Sequence, residues 1–128
     1  MDREQCHVTI SNRAATHVLY DTSDLSWGVF QDDHEPAKDI PPKANDVAAF
    51  VATGKPNLPG GTEGTVTYRF EDDQNVVLTI AWNVPATPGS SNTVSATFSD
   101  PDVAATMSGF NGSGPVEAVT ITIVDGRG

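Results

Sequence analysis

Apolar and polar residues alternate with a period of two along much of this chain. The clearest run lies between Gly60 and Pro85. Val66, Tyr68 and Phe70 alternate with Thr65, Thr67 and Arg69. The polar stretch from Glu71 to Asn75 interrupts, and Val76, Leu78, Ile80, Trp82 and Val84 then alternate with Val77, Thr79, Ala81 and Asn83. Successive side chains on a strand point to opposite faces, so two such runs around a short polar turn predict a β-hairpin. The same pattern predicts strands at Gln5–Ser11, with Cys6, Val8 and Ile10 inward, and at His17–Tyr20, Leu25–Phe30 and Val47–Thr53. Further strands are predicted at Asn92–Ser99, with Val94, Ala96 and Phe98 on one face, and at Val116–Val124, with Val119, Ile121 and Ile123 aligned. Residues 31–38 read as an acidic loop. Residues 39–43 read as extended, because Pro41 and Pro42 fix their own φ and restrict their predecessors. Residues 54–61 and 86–91 read as Pro/Gly/Ser loops, and 100–115 as irregular with one helical turn at Val103–Met107.

These segments amount to seven to nine short strands with turn signals every 8–12 residues or so, the signature of a β-sandwich or closed barrel. The expected fold is all-β: a single antiparallel β-sandwich, one domain over residues 1–128. The first and last strands are strongly apolar on one face and are expected inside the sheets. Composition agrees. Val and Thr together number 28 and Leu only 4, a balance that favours pleated surfaces over helices. The 11 Gly and 9 Pro cut the chain into short pieces. A chain of 128 residues buries roughly two thirds of its unfolded surface. One cysteine, Cys6, allows no internal disulfide and is expected to be buried on its strand face.

The formal charge of −10 comes from 7 basic and 17 acidic residues. It argues against nucleic acid, which needs Lys/Arg clusters, and against recruitment by anionic lipid headgroups. Neutral lipids, sugars and proteins stay open as partners. No run of 18 apolar residues exists to form a transmembrane helix. The N-terminus MDREQCHVTI has no apolar signal core, so the expectation is a protein secreted or released without a visible signal peptide, or one whose leader has been removed, with cytoplasmic storage as an alternative.

No catalytic residues, cofactor or metal site are expected. No nucleophile elbow, phosphate-binding Gly-rich loop or zinc spacing is present. His34 within Asp32-Asp33-His34-Glu35 reads as part of a solvated acidic loop, since calcium-loop spacing is missing. Asp72-Asp73 reads as a soluble hairpin turn, and Asn111-Gly112-Ser113 is a formal glycosylation acceptor. Trp27, Trp82, Tyr20, Tyr68 and Phe30 each read most simply as core. Trp27 and Trp82 differ in standing near strand ends beside Gly or Pro, where an amphipathic ring can pack its body inward and offer its edge to an interface.

A resemblance adds to this reading. Leu25-Ser26-Trp27-Gly28-Val29-Phe30 resembles the aromatic–Gly segment of the aegerolysins, small acidic β-sandwich proteins. The order of later features is also similar: the Ile-Pro piece at Ile40–Lys43, Ala52-Thr53-Gly54, Gly61-Thr62-Glu63-Gly64, the hairpin ending Trp82-Asn83-Val84-Pro85, and Gly89-Ser90-Ser91-Asn92-Thr93. The hairpin-then-Val-Pro layout is similar to the actinoporins, pore-forming sandwiches of related architecture. The resemblance spans about Cys6 to Val124. It implies a non-enzymatic protein that binds membrane lipids, typically of neutral sphingolipid type, in some members with a larger pore-forming partner. It also implies Trp27 and Trp82 as lipid-binding candidates close together at one end or groove, with Tyr20 and Phe30 as neighbours. Two departures stand out. Pro85-Ala86-Thr87-Pro88-Gly89 lacks the further aromatics and the Cys usual in that loop, and the amphipathic N-terminal helix of actinoporins has no counterpart. The alternative is a lectin-like or protein-binding sandwich, in which Asn83, Asn92 and Asn111 would hydrogen-bond hydroxyls. An enzyme is the weakest reading.

Overall fold

The computed structural model describes residues 4–87 and 89–128; residues 1–3, and Pro88 within the expected 86–91 loop, lie outside it. Ten strands follow in chain order: β1 Gln5–Asn12, β2 Val18–Trp27, β3 Val29–Phe30, β4 Asp39–Ile40, β5 Ala44–Thr53, β6 Thr62–Phe70, β7 Val77–Val84, β8 Thr93–Phe98, β9 Val103–Ser108 and β10 Val116–Asp125. They form two five-stranded sheets of order β3-β5-β1-β10-β9 and β4-β2-β6-β7-β8, packed as a sandwich. The expected all-β sandwich is what forms. The count exceeds nine because β3 and β4 are two-residue strands. One pair is parallel: β1 runs alongside β10, Cys6 opposite Glu117. Both lie inside their sheet, as their apolar faces predict.

The core is the sum of the inward sets. Cys6, Val8 and Ile10 from β1 and Val119, Ile121 and Ile123 from β10 meet Val66, Tyr68 and Phe70 from β6 and Leu78, Ile80, Trp82 and Val84 from β7. At roughly 25 cal/mol per Å² of apolar surface removed from water, this facing pair of layers is the main stabilising term. Fully buried Asn12 shapes the β1–β2 turn. Its side chain donates to the Thr16 and Pro41 carbonyls at 3.0 and 3.1 Å and accepts the Ala14 N–H at 3.0 Å. Arg127 closes one end, stacked 4.8 Å over the Phe70 ring and paired with Asp125 at 2.8 Å and with Asp72 of the β6–β7 turn at 3.2 Å.

Two local expectations are corrected. Residues 103–108 are a strand, not a helical turn within an irregular stretch. Val103, Ala105 and Met107 point inward and six residues pair with β10, so ladder formation overrides the weak helical preference of Ala and Met. The piece expected at 17–20 is joined through the polar run Asp21–Asp24 to Leu25–Trp27 as β2, and the rest of the piece expected at 25–30 splits off as β3, Val29–Phe30, in the other sheet. Register shifts after Tyr20 and Leu25 carry β2 past β6, and such bulges hide a strand from a strict period-two reading.

Cys6 is fully buried. Burial first, and then the negative charge of Glu117 opposite, push its thiol up to about 12. The thiolate is the reactive form, so native labelling at pH 8 should proceed only through unfolding and speed up by orders of magnitude in denaturant. A Cys6 that reacts with a thiol reagent within seconds in the native protein contradicts this strand register.

Candidate functional site

Trp27 stands where the chain changes sheets. β2 ends with it, and Gly28 turns the backbone towards β3 at φ +97°. A side chain at Gly28 would meet the Thr53 carbonyl oxygen at 2.5 Å, so only glycine makes this crossing. The 54–61 loop then returns against the same indole. Gly60, at φ +130°, lies so close that an added Cβ would fall 1.9 Å from Trp27 Nε1. The indole nevertheless stays 46% exposed, and Lys55 Nζ sits 5.3 Å above its ring centre. That separation is a cation–π geometry.

Strand pairing completes the surroundings. Glu63 on β6 is opposite Trp27, Asn83 on β7 is opposite Glu63, and Thr93 on β8 is opposite Asn83. These residues share one outer sheet face. A groove of about 240 Å³ runs between Trp27, the Gly60–Glu63 segment, Asn83 and Thr87. It adjoins a depression of about 250 Å³ that shares Glu63 and Asn83 and continues over Thr65, Ala81, Thr93 and Ser95. The arrangement offers an exposed indole with a cation over its ring, an acidic residue paired with it on the neighbouring strand, and amide and hydroxyl groups beyond. No group of three or more metal-ligating side chains occurs among the described residues.

The four aromatics singled out in the sequence divide. Trp82 is 2% exposed. It packs 5.1 Å from Phe50 and 6.2 Å from Phe30, and its Nε1–H donates to Thr62 Oγ1 at 3.0 Å. Trp27 and Trp82 thus flank the Gly60–Thr62 segment, Trp27 from outside and Trp82 from within the core. Phe30 is half-buried beside Trp82 and Phe50. Tyr20 lies elsewhere along β2, edge-on to Tyr68 at 6.1 Å, its hydroxyl 2.7 Å from Ser23 Oγ and its ring 5.0 Å below Lys38 Nζ.

Glu63, Lys55 and Thr62 were not singled out as site residues. Glu63 sits in the quoted Gly61–Gly64 segment, but only the register reveals that it faces Trp27. Of the three asparagines considered for hydroxyl recognition, Asn83 lines the groove. Asn92 is buried, and its Nδ2 group donates to Gly114 O at 3.0 Å and to Glu117 Oε1 at 3.1 Å. The Asn111 carboxamide oxygen accepts the Ser113 N–H at 2.8 Å.

The family model for Aegerolysin matches residues 3–126. The chain belongs to the aegerolysin family. Solved structures agree on the fold of this aegerolysin. The RahU protein, solved in complex with a TRIS molecule, is similar at 23% identity and a TM-score of 0.74 over 98% of this chain and 97% of that one. The lipid-binding protein Nakanori is similar at 15% identity and a TM-score of 0.81, over 96% and 72%. IP-1A from Alcaligenes faecalis is similar at 21% identity and a TM-score of 0.71, over 97% and 92%. The sequence of this chain finds no match among the curated proteins.

Proposed function

We propose that this aegerolysin binds membrane lipids through the Trp27 groove, and that its ligand is a sphingolipid with a zwitterionic, net-neutral headgroup. One observation carries the reading: a half-exposed indole with a cation over its ring, lining one groove with Glu63 of the paired strand, on an otherwise acidic molecule. A headgroup ammonium suits the Glu63 carboxylate, and a phosphate suits Lys55 beside the indole. Net charge −10 disfavours anionic bilayers, so affinity must rest on such short-range contacts and on the indole at the interface. Family membership supports a membrane-lipid role, and one protein of the same fold is described as lipid-binding. In this reading Trp27 touches lipid, Trp82 and Phe30 brace the groove floor, Tyr20 stands apart, and permeabilisation falls to a larger pore-forming partner.

Vesicle sedimentation tests the lipid class. The protein should pellet with sphingomyelin or ceramide phosphoethanolamine vesicles containing cholesterol, release no trapped dye by itself, and stay in solution with phosphatidylglycerol vesicles. Absence of binding to every zwitterionic sphingolipid mixture would reject the proposal. A second reading, a sugar-binding module, is favoured by one feature, the amide and hydroxyl lining of the adjoining depression. Hits on a glycan array without vesicle binding would select it.

A further inference from the structure

The two long sides of the sandwich are unlike. On one side the edge strands β3 and β4 are two residues each. The 31–38 loop covers β5 there, through Gln31 N–H to Val51 O at 2.9 Å, Val51 N–H to His34 O at 3.0 Å and Ala37 N–H to Ala49 O at 2.8 Å. Short strands and a charged covering loop are how sheets avoid unwanted pairing. On the other side both edges are six residues long, β8 TVSATF and β9 VAATMS, with no charged residue, no proline and no register shift against their neighbours. Among the described residues β8 pairs only with β7 and β9 only with β10, so the outer row of backbone groups on each has no strand partner. Between the two edges Val94, Ala96, Phe98, Ala105 and Met107 reach the core while staying partly exposed.

The sequence of these edges is symmetric. The inward residues of β8 are Val94, Ala96 and Phe98; those of β9 are Val103, Ala105 and Met107. Each is an alanine between two larger apolar side chains. β8 and β9 face each other across the sandwich and are joined by the Ser99–Asp102 turn. Ala96 lies three residues before that turn and Ala105 three after it, so the two alanines are equally far from it along the chain.

We propose that this side of the molecule is the contact surface for a second copy of the chain, joined by one two-fold axis that passes between the two Ala96 residues and between the two Ala105 residues and extends both sheets from five strands to ten. An axis perpendicular to the sheets makes the added strands antiparallel and keeps each side chain on its own face. Directly opposite residues must then share a face. Ala96 meets Ala96 of the other copy, Val94 meets Phe98, and Ser95 meets Thr97. On β9, Ala105 meets Ala105, Val103 meets Met107, and Ala104 meets Thr106. Each edge contributes about 20 Å of ladder. The contact is isologous and closes on itself, so it gives a dimer and not a fibre. Charge selects the same occupant. Copies bearing −10 each can approach closely only where charge is absent, and this edge is uncharged over all twelve residues. The antiparallel arrangement also places Asp100 and Asp102 of one copy beside the neutral Thr93 and Ser108 ends of the other. One corollary rests on the proposed lipid reading: the axis points both Trp27 grooves to the same side, so a dimer engages one membrane twice and gains avidity.

Sedimentation equilibrium in the absence of lipid tests the dimer independently of any ligand. The protein should show twice its 13.5 kDa mass at high micromolar concentration. Ser95→Asp with Thr97→Asp sets carboxylates opposite one another on the outer face, and should weaken association at least tenfold while the melt of the dilute protein keeps its cooperativity. Ala96→Cys and Ala105→Cys should each oxidise to a disulfide-linked dimer, whereas Ser95→Cys, diagonal to its own counterpart, should not. A 13.5 kDa mass at every concentration overturns the proposal. So does a dimer indifferent to the two aspartates, or equal cross-linking through Ser95→Cys.

Discussion

Replacing Trp82 by Ala lowers the unfolding free energy by about 3–5 kcal/mol, the usual cost of emptying a core site of a large aromatic. The expectation follows from where the ring lies: 2% exposed, packed on Phe50 and Phe30, with its N–H given to Thr62 Oγ1. Truncation removes those contacts and leaves the buried Thr62 hydroxyl without its donor. Domains of this size are stable by roughly 5–15 kcal/mol, so the variant should be marginal at 37 °C. Trp82→Phe keeps most of the packing and loses one hydrogen bond, for about 1 kcal/mol. Urea denaturation of both variants checks this. Equal, small losses would mean that Trp82 does not hold the core.

Glu117→Gln should be the second large effect, about 2–4 kcal/mol. Glu117 is fully buried opposite Cys6. One carboxylate oxygen accepts the Asn92 side-chain N–H at 3.1 Å and the Gly112 N–H at 2.5 Å, and the other accepts the Asn111 N–H at 3.1 Å. Two loops, before β8 and before β10, are thereby tied to one acceptor. Glutamine keeps the shape but offers one accepting oxygen where two are used, so its NH₂ must face a donor. Thermal melting should fall by about 4 °C per kcal/mol lost, and protease should cut first within residues 109–115. A melt unchanged within 2 °C, which corresponds to about 0.5 kcal/mol, would show that the carboxylate carries no such load.

The fold was legible because its core strands keep strict alternation. Gln5–Asn12, Thr62–Phe70, Val77–Val84 and Val116–Asp125 each bury every second residue over most of their length. Legibility failed where the phase slips or the local signal is mixed. The bulges in β2 hid one strand as two, and the Ala/Met content of Val103–Ser108 masked an edge strand whose identity depends on partners in β10 that lie 12 to 22 residues further along the chain. The candidate groove was half legible. Trp27 stands out in the sequence because an indole beside glycine at a strand end is conspicuous, and the structure places it at the groove. Trp82 looked the same in sequence, but its alternation with Ile80 and Val84 places it on the inward face. The placement of Glu63 and Lys55 around Trp27 was invisible because it comes from strand register and loop return, neither of which is a local property. Glu117 was overlooked for a related reason: a charged residue inside an apolar strand reads as solvated until its three donors are seen.

The most direct test of lipid binding through Trp27 uses the chain's two tryptophans. In the Trp82→Phe protein, Trp27 is the only indole, and it is 46% exposed in the free state. Its emission should shift to shorter wavelength as sphingomyelin–cholesterol vesicles are added, saturate with the same affinity that sedimentation reports, and be quenched by brominated lipid. A protein that pellets with these vesicles while Trp27 emission stays unshifted and unquenched would contradict the account, and would place the lipid contact elsewhere on the sandwich.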